Sequence, residues 1–459
     1  MNRWLAGEVF WPLTERLLGR DTMRRFHSLA RSDDWPHDLL RELQRSKLKR
    51  LLGLAHEHAP YHAARLDAAG VDVHDPALGL SELVCLPVVD REDIRTHLEE
   101  MTWRGCPGGA RPYATGGSSG EPLKFFTDRG RQAADWAARW RARGWWDVRP
   151  GDVEVLLWGA PIELEAQERL RIWRDGLLNQ HLLNAFDMSP SRMDDYIEFI
   201  HARRPACLYG YASSLALLAR YARERGLEAG GLGWSWLKAV FTTGEVLMDA
   251  DRDAIDWAFG VPVVNEYGCR DGGLLGLQCP AGRLHVPEEN VIVELLTRDG
   301  HPVGPGETGE VVLTSLEAVA TFMIRYRTGD LAVAAKGPCP CGRSSMTLAS
   351  VQGRVTDQII CRENGELRRM HALSLMYVLR EAEGLRQFRI TQPSLDEVDV
   401  EIVAGLGFTE ETERAVRRGL RARLGPHVTV RLSRKDHIPP TGSGKHACVV
   451  SQVAEGALR

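Results

Sequence analysis

Apolar residues recur at helical spacing through the opening of the chain. Leu39, Leu43, Leu48, Leu51, Leu52 and Leu54 fall near a 3.6-residue period, and Trp4, Leu5, Val9, Phe10, Leu13, Leu17 and Leu18 follow a similar rhythm broken by charges. The pattern predicts an amphipathic helical segment to about residue 100 that packs on the protein's own body. For its first stretch, a helix lying on a membrane surface is the alternative. A Gly- and Ser-rich break at Gly116 to Gly120 ends this pattern. From there to about residue 340, β-branched runs at 153–157, 240–241, 261–264 and 311–313 alternate with helical stretches at 193–201 and 215–223. That alternation predicts an α/β body with parallel sheets and crossover helices. The runs at 291–295 and 310–314 predict hairpins and antiparallel pairing in its later part.

After Gly353-Arg354 the pattern resets. Strands at 387–391 and 398–403, a helix at 410–424 and a strand at 428–432 predict a compact α+β unit of about 105 residues. The expected division is an N-terminal domain over 1–353 and a C-terminal lid over 354–459, joined by a linker at 353–357. Internal repeats and low-complexity tracts are absent from the sequence.

The 459 residues suffice for about three folding units, or one large body with an appendage. Hydrophobic residues at 44% and charged residues at 26% exclude disordered, collagen-like and membrane-embedded chains. No run approaches the roughly 18 apolar residues of a membrane span. Lys and Arg total 58 against 62 Asp and Glu, a net charge of -4, so no basic field invites nucleic acid or anionic lipid. Any phosphate must be gripped locally. Nine cysteines at irregular spacing do not make a disulfide framework, and no signal segment is evident, so a reducing cytoplasm is expected.

Two local constellations carry chemistry. Thr115-Gly116-Gly117-Ser118-Ser119-Gly120-Glu121-Pro122-Leu123-Lys124 combines glycines that permit close backbone approach with hydroxyls able to meet phosphate oxygens, although it lacks the Gly-Lys-Ser/Thr of a Walker loop. A plain Gly/Ser connection is its alternative. Cys339 and Cys341 flank Pro340 on a turn, and Cys279 precedes His285 by six positions. Three thiolates and one imidazole meet the tetrahedral demand of structural zinc, against the alternative of unlinked buried thiols. Cys85, Cys106, Cys207, Cys269, Cys361 and Cys448 show no ligand-like spacing.

Further motifs follow the Gly/Ser loop in order: Tyr267-Gly268-Cys269-Arg270-Asp271, Arg325-Tyr326-Arg327-Thr328-Gly329-Asp330-Leu331, Gly353-Arg354 and Pro440-Thr441-Gly442-Ser443-Gly444-Lys445. Together they resemble the core motifs of the adenylate-forming superfamily of acyl-CoA synthetases, luciferase-like enzymes and peptide-synthetase adenylation domains. More closely, the chain resembles the phenylacetate-CoA ligase branch and its coenzyme F390 synthetase and capsular-polysaccharide-type members. That match is carried by Tyr209-Gly210-Tyr211-Ala212-Ser213-Ser214, Gly244-Glu245, Asn265-Glu266-Tyr267-Gly268, Cys279 to His285 and Cys339-Pro340-Cys341-Gly342-Arg343.

The resemblance implies a two-step reaction. A carboxylate attacks the α-phosphate of ATP, pyrophosphate leaves, and the acyl-adenylate passes its acyl group to a nucleophile, usually the CoA thiol. It implies nucleotide contacts from Thr115, Gly116, Gly117, Ser118, Ser119, Gly120, Lys124, Gly244, Glu245, Asn265, Glu266, Tyr267 and Gly268. Asp330 and Arg354 are the implied ribose partners. Two anions must meet in the first step, and Lys445 is the implied catalytic cation. Asp271 stands where the family usually has Glu, as catalytic carboxylate and Mg2+ ligand. Tyr209, Gly210, Tyr211 and Trp145 are candidates to line the acid pocket. Trp136 and Trp140, four residues apart, fit core packing. The segment 363–370 lacks the Asn-Val-Phe-Pro-type sequence of true phenylacetate-CoA ligases. An amine, hydroxyl or protein thiol is therefore an alternative acceptor to CoA, and a non-catalytic adenylate-binding scaffold is a second alternative. The family also suggests polysaccharide or secondary-metabolite biosynthesis.

Overall fold

The computed structural model describes residues 1–115, 123–158, 174–185, 188–354, 358–363, 366–371, 373–380, 382–425, 427–439 and 449–453. The opening segment is helical as its periodicity predicts, with helices at Thr22–Ser32, His37–His58, Pro60–Ala68 and Arg91–His97 among its elements. His37–His58 turns Leu40, Leu48, Leu51 and Leu52 inward, and Leu48, Leu51 and Leu52 pack with Leu66, Leu83, Leu316 and Phe322. Burying a leucine of this kind is worth about 1.5–3 kcal/mol, which outweighs the weak intrinsic helicity of a single segment. The first stretch also docks on the body. Trp11 lies 4.8 Å from Trp140 and 5.7 Å from Trp136, so these two tryptophans are core residues. The same stretch leaves Trp4, Leu5, Val9, Leu13 and Leu17 exposed.

A short hairpin comes next, β1 (Arg111–Ala114) and β2 (Lys124–Thr127). The body is then organised on one sheet of β3 (Glu154–Trp158), β4 (Gln180–Asn184), β5 (Cys207–Tyr211), β6 (Ala239–Thr243), β7 (Val263–Cys269), β8 (Gly273–Gln278), β9 (Leu284–His285), β10 (Val291–Leu296), β11 (Thr308–Ser315), β12 (Tyr326–Ala334) and β13 (Thr347–Arg354). Its spatial order is β10-β11-β12-β13-β9-β8-β7-β6-β5-β3-β4. The strands β4, β3, β5, β6 and β7 pair in parallel, and every pairing from β7 to β10 is antiparallel. Both sequence patterns are thus present, but in one continuous sheet rather than in separate parallel sheets. The β7–β8 hairpin reverses the chain at Arg270 to Gly272 and joins the two halves.

Helices Pro190–Arg203, Ala212–Glu224 and Asp249–Phe259 cover the parallel half and bury Ile200, Leu215, Leu218, Ile255 and Phe259 against Val155, Leu208 and Val240. Gly210 is required for this sheet: a Cβ there would stand 2.6 Å from the Leu157 carbonyl oxygen of the neighbouring strand.

The C-terminal portion begins with the hairpin β14 (Gln358–Glu363) and β15 (Glu366–His371) and the helix Leu373–Arg380, elements that the hydrophobic pattern did not announce. A four-stranded sheet follows, formed by β16 (Leu385–Ser394), β17 (Glu397–Ala404), β18 (Thr429–Arg434) and β19 (Val449–Ser451) in the order β18-β17-β16-β19. The helix Glu410–Leu424 starts at Thr409, whose hydroxyl accepts the Thr412 N–H, and carries acids in its first turn and arginines in its last. It packs Val416, Leu420 and Leu424 on Val398, Val400 and Ile402. Arg386 of β16 makes a two-pronged ion pair with Glu224 of the body helix, beside a cavity of about 320 Å³.

Candidate active site

In a parallel sheet the C-terminal strand ends share one edge, and ligands of open α/β sheets collect there. The paired row Leu157, Gly210, Thr242 and Asn265 crosses β3, β5, β6 and β7 near that edge. It brings two motif residues, Gly210 and Asn265, to the same level two strands apart. Gly244 directly follows β6 with φ +75°, a left-handed turn that glycine adopts without strain. The next residue, Glu245, accepts the backbone N–H of Ser213 at 2.9 Å, so the loop after β6 is fastened to the helix after β5. Trp158 stacks on Tyr211 at 4.2 Å and lies 5.7 Å from Tyr209, making an aromatic wall at the ends of β3 and β5.

The next strand supplies the chemistry. Tyr267 donates to Asp330 Oδ2 at 2.9 Å, and Asp330 lies opposite Arg354 in the backbone register of β12 and β13. Burial, then Asp330, pushes the Tyr267 hydroxyl well above the usual phenol range, so it is a proton donor at neutral pH. Tyr326 donates to Asp271 Oδ2 at 2.7 Å, with its hydroxyl likewise raised by burial and then by Asp271. Asp271 is buried, and Arg91 stands 4.0 Å from the same oxygen. Three motifs distant in sequence therefore converge on one patch.

The neck of the Gly/Ser loop sits on that patch. Thr115 donates its backbone N–H to the Leu123 carbonyl at 3.0 Å, and the Thr115 hydroxyl accepts the Leu123 N–H at 2.9 Å. Arg270 donates to the Ala114 carbonyl at 3.2 Å, and Arg131 donates to the Arg270 carbonyl at 2.7 Å. Lys124 is exposed at the start of β2. Gly116, Gly117, Ser118, Ser119, Gly120 and Lys445 lie outside the described residues, as do linker residues 355–357.

Two expected site residues have protein partners of their own. Glu266 is fully enclosed, gripped by Arg139 at 3.0 and 3.1 Å and by the Tyr209 hydroxyl at 2.8 Å, so its carboxylate braces β7 against the helix Arg129–Gly144. Trp145 donates its indole N–H to Asp33 at 2.8 Å, and its ring lies 5.6 Å from His285. It belongs to the surroundings of the cysteine cluster. Sequence reasoning assigned no role to Arg91, Tyr326 or Trp158. The second sits inside a quoted motif, whereas only the helix-start pattern Asp90-x-x-Asp93 marks the neighbourhood of the first.

That cluster is compact. The ligand atoms of Cys279, His285, Cys339 and Cys341 all lie within 4.8 Å of one another, with Cys279 and Cys339 sulfurs 3.6 Å apart and Cys341 sulfur 3.2 Å from His285 Nε2. Four ligands at the ~2.3 Å Zn–S distance of a tetrahedral site would be separated by roughly 3.8 Å, close to the spacing of this set, whose donor types are those of a structural zinc site. Ser345 Oγ lies 2.8 Å from His285 Nδ1, leaving Nε2 directed at the cluster. Burial, then Arg343 and Arg141, lowers His285 to about 4 and keeps the imidazole neutral at pH 7.

Known proteins share this architecture. Residues 363–452 match the family model for the CapK C-terminal domain. Over 343 residues the chain is 27% identical to a phenylacetate-coenzyme A ligase of Thermus thermophilus, covering 71% of this chain and 73% of that protein. Over 376 residues it is 24% identical to protein CapK of Staphylococcus aureus, covering 80% of each. The chain is similar in sequence to phenylacetate-CoA ligases and to protein CapK. A 2-hydroxyisobutyryl-CoA ligase in a postadenylation state, bound to an acyl-AMP, matches over 94% of this chain and 92% of its own with a TM-score of 0.72. At 21% identity, that likeness is one of fold. No helix among the described residues is long and apolar enough to cross a membrane.

Proposed function

We propose that this protein is an AMP-forming ligase: it activates a carboxylic acid with ATP to an acyl-adenylate and transfers the acyl group to a thiol, that of CoA. The observation that carries the reading is the convergence of Asp330, hydrogen-bonded by Tyr267, with Asp271, hydrogen-bonded by Tyr326, beside the neck of the Gly/Ser loop. Homology to phenylacetate-CoA ligases supports it.

In this reading Asp330, with Arg354 on the neighbouring strand, holds the ribose of ATP. Residues Thr115 to Gly120 wrap the phosphates with backbone N–H groups and hydroxyls. Gly244, Glu245 and the Asn265 to Gly268 strand frame the nucleotide and the reacting carboxylate, and Tyr209, Gly210, Tyr211 and Trp158 wall the acid. Lys445 brings positive charge to the α-phosphate as the carboxylate attacks, where charge accumulates. Asp271 is a hard oxygen donor that fits Mg2+: one of its oxygens is committed to Tyr326 and its burial strengthens its hold on any cation it meets. The Cys279, His285, Cys339 and Cys341 set holds a structural zinc that staples the β8–β9 turn to the β12–β13 connection. The division at 353–354 makes the C-terminal portion a lid.

A second reading keeps adenylation and changes the acceptor to an amine, a hydroxyl or a protein thiol, as in a role in polysaccharide or secondary-metabolite assembly. The segment 363–370, which lacks the Asn-Val-Phe-Pro-type sequence of true phenylacetate-CoA ligases, favours it. The test is pyrophosphate release across a panel of carboxylic acids, with and without CoA. Acid-dependent release followed by CoA-dependent loss of the adenylate supports the first reading. A stable adenylate in the presence of CoA favours the second, and no acid-dependent release overturns both.

A further inference from the structure

Arg91 belongs to none of the motifs, yet the fold builds a mount for it. The segment before it is clamped onto the strand that carries Tyr326 and Asp330. Val89 forms a parallel bridge with Tyr326: its N–H donates to the Arg325 carbonyl and its carbonyl accepts the Arg327 N–H, both at 2.8 Å. Arg325, at a left-handed φ of 52°, donates to the Val84 and Leu86 carbonyls and is locked by Glu294 at 2.7 and 3.0 Å. Asp90 then caps the helix Arg91–His97 by accepting the Glu92 and Asp93 N–H groups. Every one of these contacts fixes where the Arg91 side chain starts.

The guanidinium ends beside Asp271, 4.0 Å from the oxygen that Tyr326 also reaches, and the side chain is a quarter exposed. That distance is an ion pair without a direct hydrogen bond. Neighbouring arginines are committed otherwise. Arg139 is held by Glu266, Arg325 by Glu294, Arg270 by the Ala114 carbonyl, and Arg131 by the Arg270 carbonyl. Among the described residues the Arg91 side chain donates no hydrogen bond, so its donors remain available at the mouth of the site. A chain with net charge -4 must assemble its anion grip from local groups such as this one.

We propose that Arg91 is a nucleotide-binding residue whose guanidinium engages the phosphate oxygens of ATP next to Asp271. The planar fork suits phosphate, and its pairing with Asp271 holds the side chain over the site until a polyanion arrives. This inference rests on the proposed ATP-dependent reading. It adds a cation supplied by the N-terminal helical layer to the one supplied by the C-terminal portion.

Calorimetric titration of the full-length protein with ATP and, separately, with adenosine tests it, in the absence of magnesium so that the side chain is read directly. Arg91→Ala is expected to weaken ATP by about tenfold or more, the worth of a charge-assisted contact, while adenosine binding stays within about twofold. Arg91→Lys should recover part of the loss. An unchanged ATP affinity in Arg91→Ala overturns the inference and leaves the proposed function standing. So does parallel weakening of ATP and adenosine, which marks a deformed site rather than a lost phosphate contact. Wild-type protein that binds no ATP overturns both.

Discussion

Asp271 is a buried carboxylate with a phenol at 2.7 Å and a guanidinium at 4.0 Å, an oxygen donor placed to meet a cation. Asp271→Asn preserves shape and removes the charge. Acid-dependent pyrophosphate release is expected to fall by about a hundredfold or more, with the loss not recovered by raising magnesium, whereas Asp271→Glu retains measurable activity. Lys445→Ala is expected to abolish adenylate formation with the melting temperature unchanged, since its charge acts at the transition state. A rate within about tenfold of wild type would remove Lys445 from the mechanism.

His62 predicts acid sensitivity. His62 is pushed down to about 3, first by burial and then by Arg65, against the hydrogen bond to the Phe322 carbonyl at 3.0 Å. Its folded value lies below the unfolded one, so between about pH 6.5 and 3 the unfolded chain binds the extra proton. Stability falls as pH falls across that window, by up to about 1.4 kcal/mol per unit from this group. Melting temperatures from about pH 7 to 5 should show the decline, and His62→Gln should flatten it. At this scale the sequence marked Asp330, Asp271 and the cysteine cluster as candidates, because their chemistry travels with short motifs. Arg91 was not legible, because its position is set by a bridge between Val89 and Tyr326 that no local pattern encodes. The Arg139 partner of Glu266 was not legible either, since it comes from a helix more than a hundred residues away in the chain.

Among the elements, the hairpin turns that carry Cys279 and Cys341 are joined through the cluster and then to the N-terminal layer, since Asp33 holds Arg141, Trp145 and Arg343 together. One zinc per chain is the expected metal content. Cys339→Ser/Cys341→Ser should lose it and lower the melting temperature by at least about 5 °C. Elemental analysis that finds no zinc in purified wild type, or unchanged content in the double variant, contradicts the assignment. Long periodic elements such as Glu410–Leu424 were readable to their ends, with Thr409 and Gly425 marking start and stop. The hairpin β14–β15 was not, because the apolar residues between Gln358 and His371 do not alternate regularly with the arginines and acids, and the strand pairing rather than a hydrophobic face defines it.

For the whole molecule, the proposed lid is held to the body by Arg386 and Glu224, while its covalent tether passes through Thr356, outside the described residues. Reorientation between the two half-reactions requires the tether to change φ and ψ. Thr356→Pro, which fixes φ and removes a donor, is expected to impair one half-reaction far more than the other. Equal losses in adenylate formation and in consumption of a supplied acyl-adenylate would make the linker a mere tether. The central claim is that these parts form one adenylating site, and acid-dependent exchange of labelled pyrophosphate into ATP reports that step alone, before any acceptor is involved. The account predicts exchange with at least one carboxylic acid, none without acid, and loss of exchange in Lys445→Ala. Absence of exchange across a broad acid panel in protein that binds ATP, or exchange independent of acid, would contradict it.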